Sequence, residues 1–148
     1  MKIMLDTGPL TMLLDPNKHP DVKEWFKEIL KENIEIYIPE IADYETRRWL
    51  IYKRREDAIK RLDRYKNSLC FVPIKPETML QAAKFWAESK WKGKPTADDK
   101  ELNGDVILAA QAKQVGAIIA TENVGHLSQL VNTKHWKEIK SQPEQKIP

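Results

Sequence analysis

The residues best placed for chemistry begin with Asp6, an acidic side chain that follows a short apolar run and precedes a Gly-Pro break. This pattern predicts a buried strand that ends at Asp6 and turns into a helix. Ligands of open α/β sheets bind outside the carboxyl ends of the strands, so an Asp at a strand tip is well placed for catalysis. Three later stretches could bring polar groups to the same edge, around Glu45, Asp105 and Thr121-Glu122-Asn123.

Carboxylates gathered at one edge favour a divalent cation. At neutral pH, neighbouring carboxylates repel one another, and the pKa of one of them rises unless a cation lies between them. Mg²⁺ suits such a group because it takes oxygen ligands and keeps several water molecules for a substrate. The sequence offers no competing Ser/His/Asp or Cys/His arrangement, and His19, His126 and His135 lie far apart without zinc-ligand spacing.

Each polar residue also has a purely structural interpretation. Asp6 and Asp105 could cap the helices that follow them, and Asn123 could cap the last short helix. Glu45 could be a solvated helix residue, and Asp98 lies in a polar loop where turn residues are usual. Taken singly, the structural interpretations are favoured. The occurrence of all these residues at strand ends and helix starts favours a shared site.

The elements that must position these residues follow from the spacing of the apolar positions. Apolar and alternating runs predict four strands, at residues 2–5, 34–38, 69–74 and 117–120, and an edge strand near 136–139 would be the fifth. Helical spacing predicts helices at residues 10–14, 21–32, 39–54, 55–66, 77–91, 105–115 and 123–131. Strands that alternate with helices predict a three-layer α/β/α fold with a central, mainly parallel sheet of four or five strands.

Basic residues concentrate in the two predicted helices between residues 39 and 66. From Arg47 to Lys66 there are nine Lys or Arg residues against three acids. The two helices are predicted to form a hairpin, called the basic hairpin below, whose cations could neutralise the phosphates of a nucleic acid. A solvated helical face is the alternative. The aromatic residues Trp49, Tyr52 and Tyr65 could stack on bases, but their helical spacing favours the core.

The composition is that of an ordinary folded protein. The chain of 148 residues, 41% hydrophobic and 32% charged, is long enough for one domain over 1–148, with frayed residues from about 141. The single cysteine, Cys70, excludes an internal disulfide and is expected in the core of a protein from a reducing compartment. No apolar run approaches the roughly 18 residues of a membrane span, and no signal-peptide pattern is present, so a cytoplasmic location is expected.

Four motifs resemble, in order and spacing, those of the PIN-domain ribonucleases, and within them the toxin-like, VapC-type members of type II toxin–antitoxin modules. Ile3 to Leu10 looks like the first motif, an apolar strand followed by Asp-Thr or Asp-Ser. Pro39 to Glu45 is similar to the second, a Pro-started helix with a Glu about six residues in. Gly104 to Ala112 resembles the third, and Ala120 to Leu127 resembles the fourth, Thr-x-Asp/Asn.

The resemblance implies a metal-dependent endoribonuclease. Asp6, Glu45 and Asp105 would hold one or two Mg²⁺ or Mn²⁺ ions, and Thr7 and Thr121 would orient the acids or the attacking water. A bound ion polarises the phosphoryl oxygen and makes hydroxide available for phosphodiester hydrolysis, and paired ions stabilise both the entering and the leaving oxygen. The expected substrate is single-stranded or structured RNA.

One motif position departs from the family pattern. The fourth acidic position of many members falls on Asn123, whose amide supplies an oxygen ligand but no charge. Glu122, His126, Asp98 or Asp99 could compensate, and Asp98 is the first choice because its loop leads into the Asp105 segment. The departure supports an alternative in which the chain is a catalytically weak or inactive PIN-like module that binds RNA or a protein.

The basic hairpin would hold the RNA, because an acidic pocket by itself repels the RNA backbone. The predicted RNA-binding residues are Arg47, Arg48, Arg54, Arg55 and Arg61. The resemblance further implies a cognate antitoxin protein, bound in a groove that this region helps to form, and a homodimer. No membrane partner is expected.

Overall fold

A parallel sheet of five strands forms the centre of this computed structural model, which describes residues 1–93 and 99–140 except for the side chains of 99–101. The strands are β1 Lys2–Leu5, β2 Glu35–Pro39, β3 Cys70–Val72, β4 Ile118–Thr121 and β5 Thr133–His135. Their order across the sheet is β3-β2-β1-β4-β5, and every neighbouring pair is parallel. The carboxyl ends of β1, β2 and β4 therefore meet at one edge.

Helices cover both faces of this sheet. In the described residues they are α1 Thr7–Leu14, α2 Pro20–Leu30, α3 Glu40–Tyr52, α4 Glu56–Ser68, α5 Pro76–Trp91 and α6 Asp99–Val115, with 3₁₀ turns at His126–Gln129 and Trp136–Glu138. One apolar cluster packs residues of α1, α2 and α4 against one face, and a second packs α5 and α6 against the other. The predicted three-layer α/β/α fold with a mainly parallel sheet is confirmed.

The first strand is central because its side chains are apolar on both faces. Ile3 and Leu5 point into the cluster of α1, α2 and α4, while Met4 points into the cluster of α5 and α6. All three side chains are fully buried. Alternate residues of a strand face opposite sides of the sheet, so a strand covered on both faces has a continuous apolar run. The strand ends at Leu5, and the residue that follows this apolar run is the polar Asp6.

The predicted fifth strand at the edge of the sheet is present, but its predicted position near 136–139 is wrong, because β5 is Thr133–His135 and Trp136–Glu138 form a 3₁₀ turn. The ring of Trp136 lies 5.7 Å from that of Trp25, and Trp25 Nε1 donates to Ile139 O at 2.7 Å. The apolar residues of this segment therefore cover the core beside α2 instead of pairing with the sheet.

Two helix boundaries also differ from the predictions. α6 begins at Asp99, so Asp105 lies inside the helix and does not cap it. Leu102 is fully buried and extends the apolar face of α6 toward its start. The helix predicted over 123–131 is reduced to a 3₁₀ turn, and Gly125 just before it leaves the helical conformation, with φ 16° and ψ −119°.

The prediction that Cys70 lies in the core is wrong. Cys70 is exposed, because β3 is the edge strand of the sheet and exposure falls along the strand only as it approaches Val72. An apolar neighbourhood in sequence does not distinguish an edge strand from a central one.

Two predicted features fall on parts of the chain that the structure does not describe. They are the polar loop that carries Asp98 and the frayed segment from residue 141. Within the described residues, no helix combines the length and the apolar character needed to cross a lipid bilayer.

Gln111 joins three elements inside the core. Its side chain is fully buried in α6. Its Oε1 accepts a hydrogen bond from the Ile41 N–H at the start of α3, at 3.1 Å, and its Nε2 donates to the Val72 carbonyl at 2.7 Å. The amide thus fixes the start of α3, the helix that carries Glu45, relative to β3 and α6.

Replacing Gln111 by Leu should lower the free energy of unfolding by about 2–5 kcal/mol, because two buried backbone groups lose their side-chain partner at about 1–3 kcal/mol each. Urea unfolding followed by circular dichroism measures the difference. Gln129→Leu, at an exposed position, is the control and should change stability by less than about 0.5 kcal/mol. Equal stabilities of the two variants would contradict the assigned role.

Candidate functional site

Asp6 and Thr121 meet where the order of the strands reverses. The chain adds β2 and β3 on one side of β1, and β4 and β5 on the other. Such a reversal leaves a crevice beyond the carboxyl ends of the two strands at which it occurs. Asp6 N donates to Ala120 O at 3.0 Å, and Thr121 Oγ1 donates to Asp6 Oδ2 at 2.7 Å. The Asp6 carboxylate is therefore fixed at this crevice.

Thr7 connects Asp6 to Glu45. The Thr7 N–H donates to Asp6 Oδ1 at 2.7 Å, so Asp6 does cap α1, which begins at Thr7 and not near residue 10 as predicted. The Thr7 hydroxyl donates to Glu45 Oε1 at 2.9 Å. A helix-capping aspartate and a glutamate of α3 thus approach each other through one intervening residue. Capping and participation in a site are compatible roles for Asp6.

Burial makes both carboxylates costly to ionise. Desolvation raises the pKa of Asp6 above its usual value, against the opposing hydrogen bonds from Thr121 and from the Thr7 N–H. Desolvation also raises the pKa of Glu45, and the nearby charge of Asp6 adds to the effect. The hydrogen bond from Thr7 and the charge of Arg48, whose Nη2 lies 4.0 Å from Glu45 Oε2, act in the opposite direction. A cation at the crevice would relieve this repulsion.

Gly104 allows α6 to approach Glu45. A Cβ on Gly104 would lie 3.1 Å from Glu45 Oε2, a tight contact that the Glu45 carboxylate could accommodate only by moving a few tenths of an ångström. Asp105 follows this glycine and is half-buried. The third motif includes Gly104 but gives it no role, although a glycine inside a helical segment is a recognised indication of close approach.

The described residues contain no group of three or more His, Cys, Asp or Glu side chains that could hold a metal ion. Asp6 and Glu45 are brought together, and Asp105 lies on the adjacent helix without completing such a group.

Asn123 occupies the rim of the crevice. Its backbone N–H donates to Thr121 Oγ1 at 3.1 Å, and the residue is exposed. Its Oδ1 lies 2.9 Å from the position that a Cβ on Gly125 would take, so a side chain at position 125 would require the amide of Asn123 to move. Asp98, the first choice to compensate for the missing charge, lies outside the described residues.

Glu122 and His126 have partners of their own. Glu122 accepts a hydrogen bond from Trp136 Nε1, and its Oε2 lies 3.8 Å from His135 Nε2. His126 Nε2 lies 3.2 Å from Ser89 Oγ. These contacts tie Glu122 to the segment that follows β5 and tie His126 to α5, so both side chains are engaged by residues outside the pair of Asp6 and Glu45.

Some cations of the basic hairpin are bound to other residues of the protein, and others are exposed. Arg47 forms ion pairs with Asp43 at 2.9 Å and with Asp63 at 2.8 Å, which joins α3 to α4. Arg61 Nε donates to the Leu14 carbonyl at 2.8 Å and joins α4 to α1. The other predicted RNA-binding residues lie at the surface: Arg48, Arg54 and Arg55.

The prediction that Trp49 and Tyr52 belong to the core is wrong. Their exposed fractions are 53% and 74%, because the buried side of α3 runs through other positions that include Leu50. Tyr65 agrees better with the prediction, since it is half-buried and its ring meets that of Phe26 edge-on at 5.6 Å.

Comparisons with known proteins agree on one fold. The family model described as PIN domain matches residues 3–129. No curated protein matches the chain. The solved structure of VapBC2 from Rickettsia felis, bound to a DNA fragment from their promoter, contains a chain 22% identical with a TM-score of 0.75, and the match covers 92% of this chain and 99% of that one.

Two further structures give similar values. FitAcB from Neisseria gonorrhoeae is 22% identical with a TM-score of 0.71, over 93% of this chain and 99% of that one. VapBC-1 from nontypeable Haemophilus influenzae is 19% identical with a TM-score of 0.66, over 93% and 100%. At these identities the three structures show a shared fold.

Neutralising Glu45 tests the cost of bringing the two carboxylates together. Because the pKa of Glu45 is raised in the folded state, its contribution to stability is full below its usual value of 4.5 and is lost as the pH rises through the folded pKa. In EDTA, Glu45→Gln, which keeps the oxygen that accepts from Thr7, should therefore raise the free energy of unfolding at about pH 7 and change it little at about pH 4.

Urea unfolding at the two pH values measures this effect, with Glu24→Gln on the exposed side of α2 as the control. A Glu45→Gln variant less stable than the wild type at neutral pH would show that the carboxylate is favourably paired within the chain.

Proposed function

Because this chain belongs to the PIN domain family, we propose that it is a metal-dependent endoribonuclease that hydrolyses phosphodiester bonds of single-stranded or structured RNA. Membership of the family confirms the resemblance that the four motifs indicated, and PIN domains are generally nucleases. The observation that carries the proposal is the hydrogen bond from the Thr7 hydroxyl to Glu45, which together with the capping of α1 brings Asp6 and Glu45 to one crevice.

The residues at the crevice fit a divalent cation. Asp6 and Glu45 are two carboxylates whose pKa values are raised by burial, so positive charge between them would be favourable. Mg²⁺ is usually bound through one or two carboxylates together with water and substrate phosphates, so a pair of acids is sufficient to begin such a site. Asp6, Glu45 and Asp105 would hold one or two Mg²⁺ or Mn²⁺ ions, with Asp98 as the proposed additional acid. When bound, such an ion would polarise a phosphoryl oxygen of the substrate and make hydroxide available from a bound water molecule.

The two threonines would act as positioning residues. Thr121 and the Thr7 N–H occupy one oxygen each of the Asp6 carboxylate, which fixes its plane at the end of β1. The Thr7 hydroxyl fixes Glu45 in the same way through Oε1. Asn123, whose backbone is held by Thr121, would present an amide oxygen at the rim where many family members have a carboxylate. Carboxylates held in this manner need little rearrangement when substrate arrives.

The basic hairpin would bind the RNA backbone. Arg48, Arg54 and Arg55 are exposed and take no part in the inter-helix ion pairs that Arg47 makes, so they are the better candidates for phosphate contacts. Arg47 and Arg61 would contribute charge from positions fixed by their protein partners. Reducing conditions suit the single exposed cysteine, in agreement with the proposed cytoplasmic location.

A partner protein is also proposed. The similar structures are VapBC and FitAcB assemblies, and the motifs resemble toxin-like family members. We infer that this chain is the toxin of a type II pair, that it binds a cognate antitoxin, and that it forms a homodimer. Co-expression with the protein encoded by the adjacent reading frame, followed by gel filtration, would test the pairing.

Cleavage of RNA with Mn²⁺ tests the enzymatic proposal. Asp6→Asn and Asp105→Asn should each lower the cleavage rate by at least about 100-fold, because each removes a charge that would balance the cation. Asp21→Asn is the matched control, since Asp21 also accepts from the N–H of the next residue but lies exposed on α2. If the wild type retards a panel of RNAs in a gel and leaves all of them intact with Mn²⁺, the chain is a binding module.

The exposed arginines make a separate prediction. Arg54→Gln with Arg55→Gln should weaken RNA binding and reduce the slope of log K against log salt by about 0.7 for each phosphate of a single strand that the variant no longer neutralises. Lys84→Gln with Lys113→Gln, on the opposite face of the sheet, is the control. An unchanged slope would show that other residues neutralise the phosphates.

A further inference from the structure

α3 presents one continuous stripe that begins at the proposed active site. Glu45, Arg48, Trp49 and Tyr52 are spaced so that they share one face of the helix. Trp49 and Tyr52 are more than half exposed, while Glu45 at the start of the stripe is half-buried at the crevice. At about 1.5 Å per residue, Tyr52 lies about 10 Å along the helix axis from Glu45. The stripe therefore leads away from the acidic residues over the length of a few nucleotides.

The rings of this stripe are interleaved with cations. The ring centres of Trp49 and Tyr52 lie 5.9 Å apart with an angle of 37° between the planes. Lys53 Nζ lies 4.8 Å from the Trp49 ring and 5.6 Å from the Tyr52 ring. One turn nearer the crevice, the Arg48 guanidinium lies 5.0 Å from the ring of Tyr44, which is also exposed. Rings that can stack on bases thus stand next to cations that can pair with phosphates.

A cleft borders the stripe between α1, α3 and α4. Its volume is about 300 Å³, and Leu14, Trp49 and Leu50 give it an apolar lining. Lys53, Arg55 and Arg61 also line the cleft, against the single acid Asp15. An apolar lining with a positively charged rim fits a ligand that has flat apolar faces and a negative backbone.

We propose that Trp49 and Tyr52 form a stacking subsite that binds the bases of single-stranded RNA next to the bond that is cut. This inference rests on the proposed ribonuclease function and adds to it a subsite that sets the position of the strand relative to Glu45. Stacking on an aromatic ring accepts any base, so the subsite contributes affinity and register more than sequence preference.

Two observations favour RNA over a peptide as the occupant. The stripe is continuous with the face of α3 that carries Glu45, so a strand bound on it passes directly to the crevice. Cations outnumber acids along the cleft beside the rings, and Lys53 contacts both Trp49 and Tyr52, so the surface complements a phosphate at every nucleotide. A protein partner that uses the same surface is an outcome of the test.

Equilibrium binding of a labelled single-stranded RNA of about twelve nucleotides, measured in EDTA by fluorescence anisotropy, tests the subsite without any cleavage step. Trp49→Ala and Tyr52→Ala should each weaken binding by about five- to 150-fold, the range expected for one stacked base. The slope of log K against log salt should stay unchanged in these variants, whereas Lys53→Gln should lower it by about 0.7. Trp49→Phe and Tyr52→Phe should retain most of the affinity.

Trp86→Ala is the matched control. Trp86 is an exposed tryptophan with a lysine, Lys90, 5.4 Å from its ring, but it lies on α5 at the opposite face of the sheet. Its removal should leave RNA binding unchanged. In addition, replacing single bases by abasic sites should weaken binding of the wild type at one or two adjacent positions and have little further effect at those positions in Trp49→Ala.

The outcomes separate this inference from the proposed function. If Trp49→Ala and Tyr52→Ala bind RNA as tightly as Trp86→Ala, the subsite is overturned, and the stripe is left to a protein partner, while cleavage with Mn²⁺ stands on its own test. Loss of binding in the two variants without cleavage by the wild type supports base stacking on Trp49 and Tyr52, but it overturns the nuclease and with it the position of the subsite beside a bond that is cut. Absence of RNA binding by the wild type overturns the subsite, and cleavage with Mn²⁺ then decides the ribonuclease function separately.

Discussion

Two carboxylates of like charge are held together at a half-buried crevice, and much of the surrounding structure depends on that contact. The pKa values of Asp6 and Glu45 are raised by desolvation, so the folded chain keeps them together at a cost. Strand order enforces the approach by placing β1 beside β2, the strand that leads into the helix of Glu45. Thr7 supplies hydrogen bonds to both acids, and Gly104 leaves room for α6 beside Glu45. A site whose charges are not balanced within the protein gains from a bound cation.

The centre of this fold was predictable because the burial of apolar side chains alone determines it. A strand covered on both faces needs an apolar residue at every position, so Ile3 to Leu5 could be assigned from sequence, and so could its end at Asp6. At the edges of the sheet and on the outer helices, an apolar side chain can extend a strand, cover a helix or remain exposed. Trp136 covers α2 instead of extending a strand, and Trp49 remains at the surface. Local sequence does not distinguish these outcomes, because they depend on which distant segments of the chain pack against the side chain in the folded protein.

The site likewise combines features that local sequence determines with features that depend on the folded chain. Motif spacing predicted that Asp6 and Glu45 would approach the same sheet edge, because both follow strands that are central and parallel. Which atoms meet could not be predicted, since the Thr7–Glu45 hydrogen bond joins residues distant in sequence. Glu122 illustrates the limit. From sequence it could have replaced the charge missing at Asn123, yet it accepts a hydrogen bond from an indole that only the folded chain brings near.

The distribution of charge on α3 and α4 limits how the proposed RNA substrate could be bound. Arg47 pairs with the buried Asp43 of its own helix and with Asp63 of α4, so part of the positive charge of the basic hairpin maintains the helix pair and is not available to a ligand. Fewer cations of the basic hairpin would be available to the phosphates of the proposed RNA substrate than the sequence suggested, and part of its affinity would then come from contacts that are not ionic. The exposed rings of Trp49 and Tyr52 could provide such non-ionic contacts by stacking on bases. Because α3 also carries Glu45, the helix itself would fix the distance between a base stacked in the proposed subsite and the acidic crevice.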